Sequence, residues 1–418
     1  MTTFVKNEHP IINKYFILYY ACIPILASIF FFFKLNIGTF KFIAAINIIV
    51  AFLTLFYFIY LGNLKLENYQ KYFLVYTLCV MFLDYTRGQF WDITKVPIES
   101  ACLVLSSTIF VITPKLKSKL LKLFIFYIIS TFIIILIQRV FGMFWGTTFD
   151  ITEFSADEFQ NYRFGAYWLA IDQISGITIP TLITAFICIE LIEKGKKKLA
   201  IFISLLLFIT CIISGSRAGM LYSLIIMIGF VFYKNKSISK SINQIVIFTI
   251  LFFAAFYILG NFGISLERIW DDRIYESDKT FEERSESART DNLDFFFSGK
   301  YLKIFGNGFE YNQAYQNDSG RNHAGLLIGM FNPMFGYGIA SIFYYLFLFA
   351  LFKKTFAYYK LSGDPFFFLL LLGFVLVGFT AVFTYFSNMH AFFFFLLLKT
   401  YYNDAIIEKQ KLLSIKEE

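Results

Sequence analysis

Long apolar runs alternate with short polar segments along most of this chain. Most of the runs approach the roughly 20 residues that a helix needs to cross the hydrocarbon core of a membrane. We therefore predict an all-α fold, a polytopic transmembrane helical bundle of about 12 spans. The predicted spans lie near residues 15–33, 42–61, 71–84, 96–113, 120–141, 166–192, 199–213, 217–233, 244–263, 336–352, 366–385 and 390–402.

The composition excludes the main alternatives to a membrane protein. Hydrophobic residues make up 58% of the chain and charged residues only 16%, against about 25% charged residues in ordinary soluble proteins. With 58 phenylalanines, the chain carries more apolar surface than two soluble cores could bury, and it is too hydrophobic to be disordered. The run at 15–33 is too long for a cleavable signal sequence, so we predict that it is the first span.

Lysines cluster in the short segments between the runs. The clusters lie within residues 114–122, 193–198, 234–240 and 353–360. If twelve spans alternate in direction, all four clusters fall on the same side. Because lysine and arginine are enriched in short cytoplasmic loops, this arrangement places both termini in the cytoplasm. The net charge of +8 is thereby explained without a nucleic-acid partner.

The nine arginines follow a different pattern, because the predicted topology places all of them on or near the outer face. Several lie among the acidic residues of segment 264–322 and are expected to form ion pairs there. Arg163 and Arg217 lie at span ends with few acidic residues nearby in sequence. A guanidinium offers a planar fork suited to phosphate and carboxylate, so these two positions indicate a polyanionic ligand at the outer face.

Three regions follow from these patterns. Residues 1–263 contain spans one to nine, 264–322 form a large outer loop, and 323–418 contain a re-entrant segment, the last three spans and a cytoplasmic tail. Within the loop, Thr280-Phe281-Glu282-Glu283 fits a capping box, which predicts a short helix. Gly306-Asn307-Gly308 is too short for a dinucleotide-binding motif and is interpreted as a turn.

His323 is the candidate general base. It precedes a series of glycines, from Gly325 to Gly338, that predicts a broken or re-entrant helix. Such backbone is tolerated at membrane depth only where protein or a water-filled cavity surrounds it. Imidazole titrates near neutral pH and could take the proton from an attacking hydroxyl. The alternative interpretation is an exposed loop histidine without a role.

Other polar residues near the runs divide into functional and structural candidates. Arg217 lies in a connection between two runs that is too short for a free loop, and a charged residue at a membrane edge is a functional candidate. Asp84, Arg87 and Asp92 are interpreted as a local ion-pair set, and Glu99 is expected to pair with an arginine. The chain has no Walker loop, no HExxH and no CxxC pair, so no metal is assumed.

Four short motifs occur in the order found in one family of bacterial membrane proteins. They are Arg163-Phe164-Gly165, the segment Ser214–Gly219, Arg289 followed by Gly306-Asn307-Gly308, and His323 leading into a glycine-containing span. With these motifs the chain resembles the O-antigen ligase/polymerase superfamily over roughly residues 160–352. One departure is that Asn322 precedes His323 and Ala324 follows it, so the usual His-Asn order is absent.

The resemblance implies a metal-independent glycosyltransferase of the bacterial inner membrane that uses no cofactor. Its donor would be an undecaprenyl-pyrophosphate-linked oligosaccharide, used at the periplasmic face. A chain-length regulator is a candidate partner beside membrane lipid. The resemblance assigns catalytic roles to His323, Arg217 and Arg321. It assigns substrate binding to Arg289, Arg163 and Asn322.

Three activities are compatible with the resemblance and the predicted topology. An O-antigen polymerase is favoured by the altered His-Asn element and by the Gly-Asn-Gly-Phe turn at 306–309. The alternatives are an O-antigen ligase, which transfers the polymer to lipid A core, and a flippase or transporter of lipid-linked glycans. A transporter of that kind would be expected to show internal repeats, and the sequence shows none.

Overall fold

Helices form every regular element that the computed structural model describes, as the apolar runs predict. All statements below concern the described part of the chain. It comprises residues 10–32, 37–61, 66–88, 95–107, 109–141, 178–214, 217–233, 242–243, 245–250, 253–254, 257, 302–308, 330–378 and 388–417.

The helices follow the predicted runs closely. Every predicted run except 244–263, of which the structure describes only fragments, overlaps a described helix. The all-α prediction is therefore confirmed for the described residues. In chain order the helices are α1 (Pro10–Phe32), α2 (Ile37–Tyr60), α3 (Asn68–Thr86), α4 (Lys95–Ser106), α5 (Pro114–Phe141), α6 (Thr178–Glu193), α7 (Lys197–Ile213), α8 (Arg217–Phe232), α9 (Asn332–Tyr337), the 3-10 helix Gly338–Ala340, α10 (Ser341–Ser362), α11 (Phe366–Gly378) and α12 (Asn388–Glu417).

Local capping explains where several helices begin and end. At the start of α3, the backbone N–H of Glu67 donates to the side-chain oxygen of Gln70 at 2.9 Å, which satisfies one of the donors left free at a helix N-terminus. Helix α10 ends at Ser362, and the next residue, Gly363, has a φ of +69°, the left-handed conformation that closes many helices. The carboxylate of Asp364 then accepts the N–H of Phe366 at 2.9 Å and starts α11.

The core lies around α12. Its stretch Phe392–Leu398 is buried on all sides, each residue being at most 1% exposed, as expected of a helix that is apolar all round. Aromatic rings from four other helices contact its phenylalanines at centroid distances of 4.3 to 5.9 Å. The contacting rings belong to Tyr20 of α1, Tyr69 of α3, Phe124 of α5 and Phe367 of α11.

One end of the bundle gathers the lysine clusters, and we call it the lysine end. Lys117, near the start of α5, lies 2.6 Å from Glu190 near the end of α6. Lys354, in the second half of α10, lies 2.9 Å from Glu67 just before α3. Residues of α12 connect the two pairs, because Tyr401 donates to Glu190 at 2.6 Å and the ring of Tyr402 lies under Lys354.

The other end carries the described arginines, and we call it the arginine end. Helix α3 begins beside Glu67 at the lysine end and reaches Arg87 after 19 residues, about 28 Å of helix. Helices α5 and α7 also begin at the lysine end, so Arg139 near the end of α5 and Arg217 at the start of α8 lie at the opposite end. Lysines also occur there on described backbone, at Lys41, Lys95 and Lys303.

From α1 to α8, and again from α10 to α12, successive helices therefore alternate in direction between the two ends, whereas α8 and α10, which are separated by the run 244–263, have the same direction. Three of the four predicted lysine clusters, at 114–122, 193–198 and 353–360, lie together at the lysine end, as the alternation of spans predicts. The fourth cluster, at 234–240, lies outside the described residues.

The fourth predicted span is corrected by the structure. It was expected at 96–113, but the helix ends at Ser106, and Ser107 and residues 109–113 are not helical. The Asn13 side chain of α1 covers part of this backbone, because it donates to the carbonyl of Val111 at 2.7 Å and accepts the Val111 N–H at 3.0 Å. Apolar composition could not reveal this break, since the side-chain partner that permits it comes from another helix.

Two helical stretches of the described chain, Pro114–Ile137 and Asn332–Ser362, are long and apolar enough to cross a membrane. Four shorter apolar helices accompany them. Large aromatic side chains on the outside of the bundle are exposed, including Phe56 at 64%, Phe82 at 67% and Phe349 at 70%. These features identify a candidate membrane protein, and the number of spans stays a prediction.

Candidate functional site at the arginine end

Six catalytic or substrate-binding residues were predicted from the sequence, and the structure describes only one of them, Arg217. The backbone of Arg217 begins α8 at the arginine end, where the topology prediction places it. The remaining five, Arg163, Arg289, Arg321, Asn322 and His323, lie outside the described residues, as does the predicted helix of the large loop. The proposed grouping of these side chains therefore stays a prediction.

Two chain segments that flank the predicted His323 region pack against each other at the arginine end. The N–H groups of Asn307 and Gly308 donate to the carbonyls of Phe335 and Gly336, each at 2.8 Å. In return, the N–H of Ile339 donates to the carbonyl of Ile304 at 2.8 Å. We call this contact, between residues 304–308 and 335–339, the glycine junction.

Glycine is required at two positions of the junction. Gly306 and Gly338 have φ angles of +72° and +53°, a region that other residues rarely adopt. A Cβ atom on Gly306 would collide with the carbonyl oxygen of Gly336, and one on Gly338 would collide with the carbonyl oxygen of Ile304. The two backbones approach each other too closely for any side chain between them, so the turn predicted at Gly306-Asn307-Gly308 also serves as a packing surface.

Arg87 binds both halves of the glycine junction. Its Nη2 donates to the carbonyls of Phe305 at 2.6 Å and Gly306 at 3.0 Å, and its Nη1 lies 3.4 Å from the carbonyl of Gly336. The ion pair predicted between Arg87 and Asp84 is not found, because the bonds of this guanidinium go to backbone carbonyls. Asp92, the third residue of the predicted ion-pair set, lies outside the described residues. Charge-assisted bonds of this kind are stronger than neutral ones, and the planar fork of arginine can make several at once.

Asp84 makes a second connection between α3 and the junction. It is fully buried, one turn of helix before Arg87, and its Oδ2 accepts a hydrogen bond from Tyr337 Oη at 3.2 Å. The ring of Tyr337 packs edge-on against Tyr76, also in α3, at 6.2 Å. Helix α3 thus holds the junction through two polar side chains.

The broken helix predicted after His323 is seen where the structure describes it. Helix α9 is only 6 residues long, the 3-10 helix Gly338–Ala340 follows, and α10 then begins. The hydroxyl of Tyr345 donates to the carbonyl of Met330 at 2.7 Å and fixes the start of this region. Residues 309–329, which include Arg321, Asn322 and His323, therefore connect two anchored points, Gly308 and Met330.

The charged groups of the lysine end form a structural network rather than an open site. Glu190 is 4% exposed and is surrounded by Lys117, Lys194 and the hydroxyl of Tyr401. Asp404 lies 4.0 Å from Lys117, and burial raises the pKa of its carboxyl while Lys117 opposes the shift. No group of three metal-binding side chains occurs among the described residues.

The arginine pairing expected for Glu99 stays a prediction, because Arg87 is the only arginine whose side chain the structure describes. Glu99 is 7% exposed on α4, and its Oε1 has no hydrogen-bond partner. The pairing with an arginine expected for it is not seen among the described ion pairs.

Sequence reasoning missed the role of Arg87. The only local signal is an arginine followed by Gly88 at the end of an apolar run. Its partners lie 218, 219 and 249 residues further along the chain, a separation that no motif spacing reveals.

Comparison of the chain with protein-family models, with curated proteins and with solved structures finds no match. The functional interpretation therefore depends on the chemistry of the arginine end and on the motifs of the sequence.

Proposed function

We propose that this protein is an O-antigen (surface polysaccharide) polymerase of the bacterial inner membrane. It transfers a glycan from its polyprenyl-pyrophosphate carrier onto an incoming lipid-linked repeat unit. The lysine end faces the cytoplasm with both termini, and the arginine end faces the periplasm and carries the active site.

The observation that carries the proposal is the uneven distribution of lysines and arginines between the two ends of the bundle. Lysines at the described positions 117, 194 and 354 pair with carboxylates at one end, whereas Arg87, Arg139 and Arg217 lie at the other. Enrichment of lysine in short cytoplasmic loops supports the orientation. Arg217, the predicted site residue at the arginine end, supports a diphosphate ligand there, because a guanidinium fork matches phosphate oxygens.

The apolar exterior supports a lipid-linked substrate. Exposed side chains such as Phe56, Phe82 and Phe349 would meet lipid tails without loss of free energy. A polyprenyl chain could then lie along the bundle surface while its diphosphate is held at the arginine end. This placement needs no energy source, because the substrate already carries its leaving group.

The proposed reaction breaks one bond and forms one bond. The acceptor sugar hydroxyl attacks the anomeric carbon of the donor glycan, and the bond from this carbon to the diphosphate oxygen breaks. His323 takes the hydroxyl proton. Arg217 and Arg321 stabilise the charge that develops on the departing polyprenyl diphosphate. Arg163, Arg289 and Asn322 would bind the substrate, and the products are the extended lipid-linked glycan and the free carrier diphosphate.

Deletion of the gene in its host, followed by gel display of the surface polysaccharide, tests the proposal. A core that carries a single repeat unit supports a polymerase, because ligation still occurs. A bare core with accumulated lipid-linked polymer would identify a ligase. A bare core with unpolymerised, cytoplasm-facing lipid-linked units would identify a flippase and contradict the proposal.

A further inference from the structure

We infer that Arg87 is a positioning residue: it holds the glycine junction closed and so fixes the spacing of the two anchored points that flank residues 309–329. The inference rests on the proposed function, since the residues expected to act in glycan transfer include Arg321, Asn322 and His323 of that segment. Arg87 would contact neither substrate nor leaving group.

The contacts of Arg87 converge on one place from two distant parts of the chain. Two of its acceptors, the carbonyls of Phe305 and Gly306, belong to the segment before residues 309–329, and the third, of Gly336, belongs to the segment after it. Three carbonyl oxygens directed at one point repel each other unless a cation lies between them. The guanidinium provides this charge and donates to both segments at once.

The junction tolerates little displacement once Arg87 has closed it. Three backbone hydrogen bonds of 2.8 Å connect its two halves, and Gly306 and Gly338 leave no room for a Cβ atom between the backbones. A shift of one half would therefore break several hydrogen bonds together. Asp84 adds a contact to Tyr337 from the same helix, so α3 acts as the fixed support.

A fixed junction is what the proposed chemistry requires. Glycosyl transfer needs the acceptor hydroxyl, its base and the diphosphate to be aligned, and a misplacement of ~1 Å can reduce a rate by about 100-fold. Gly308 and Met330 are the described residues next to the segment that carries the predicted base. Gly308 is held by the junction that Arg87 closes, and Met330 is held separately by Tyr345.

The test combines kinetics with amide hydrogen exchange in the full-length protein, reconstituted in lipid nanodiscs. One variant is Arg87→Lys, which keeps the charge but loses the planar guanidinium. The other is Gly306→Ala, which opens the same junction by adding a Cβ atom between its two backbones. Lys303→Ala is the matched control, because this exposed side chain belongs to the same segment and makes no hydrogen bond or ion pair with the described residues. Exchange is followed in peptides covering 302–308 and 335–340, and kcat and KM are measured with a lipid-linked repeat unit.

We expect both variants to exchange roughly tenfold faster in these two peptides and to lose about 100-fold in kcat with KM changed by less than about twofold. The control should match the unmodified protein in both measurements. Unchanged exchange in Arg87→Lys would contradict the closing role. Faster exchange with unchanged kcat, or a raised KM with unchanged kcat, would contradict the positioning role.

Failure of the proposed function gives a different result. The unmodified protein could extend no glycan while Arg87→Lys still exchanges faster at the junction. This result would contradict the polymerase proposal and the positioning role, and it would support only the role of Arg87 in closing the junction. A variant that does not fold is recognised by size-exclusion chromatography. In that case the kinetics and hydrogen exchange of the other junction variant test the inference.

Discussion

The two ends of the bundle use positive charge in different ways. At the lysine end, Lys117 and Lys354 bind carboxylates on neighbouring segments, Glu190 and Glu67, and so join regular helices to each other. At the arginine end, Arg87 binds backbone carbonyls and so stabilises a break in regular structure. An ammonium group is a compact point charge suited to one carboxylate, whereas a guanidinium serves several acceptors at once. The first arrangement builds a rigid base, and the second supports an irregular surface of the kind that functional sites use.

The largest expected effect concerns the proposed active site at the arginine end. Arg217→Ala and His323→Ala should each reduce glycan extension by about 100- to 10,000-fold, because each removes charge stabilisation or proton transfer in the transition state. Arg217→Lys should restore little, since a point charge cannot replace a bidentate fork.

The measurement is extension of lipid-linked repeat units by purified protein, normalised to the folded amount on size-exclusion chromatography. Lys194→Ala at the lysine end serves as control, because this side chain is 46% exposed and lies 3.7 Å from its partner. Full activity in Arg217→Ala would remove that residue from the site.

The substitutions Gly306→Ala and Gly195→Ala allow the two ends to be compared by their loss of stability. Gly306 at the arginine end and Gly195 at the lysine end share a φ of +72°, but only Gly306 has backbone atoms where a Cβ would lie. Gly195→Ala should cost about 1–2 kcal/mol through its backbone conformation alone, and Gly306→Ala should cost about 2–4 kcal/mol because the junction must also open. Thermal unfolding of the two purified variants measures the difference. Equal destabilisation would mean that the close approach at the junction contributes nothing.

The smallest expected effect on glycan extension lies at the lysine end. Glu190→Gln removes the carboxylate that Lys117, Lys194 and Tyr401 share and should cost about 1–3 kcal/mol. The loss is below that of a fully buried pair because Lys117 keeps 18% exposure to solvent. Glycan extension per folded molecule should stay unchanged. A loss of extension with normal thermal unfolding would show that this end also takes part in the reaction, and the proposed division between the ends would be wrong.

The helices and their alternation could be predicted well from the sequence. Runs of leucine, isoleucine and phenylalanine specify helices locally, and most predicted boundaries lie within several residues of those observed. The lysine clusters also indicated which loops share one end, because their positions depend on the order of the runs. The prediction of the fourth span at 96–113 was wrong at its end, because the run is apolar throughout although its helix ends at Ser106.

The candidate site was less accessible to prediction. Arg87 was assigned to an ion-pair set with Asp84 and Asp92, because sequence reasoning looks for partners nearby. The carbonyls that Arg87 binds belong to segments more than 200 residues further along the chain, and no sequence motif links these segments to Arg87. The turn at Gly306-Asn307-Gly308 was predicted, whereas its contact with Gly336 and Gly338 was not.

The sequence by itself determined the class of the fold, the order of the helices and the gathering of three lysine clusters at one end. These properties follow from composition and from spacing along the chain, which are local quantities. Only the tertiary structure decided which backbone segments meet at the arginine end and which side chain closes them. Backbone carbonyls are present in every residue, so their use as ligands for Arg87 depends on where the folded chain brings them and leaves no trace in residue type.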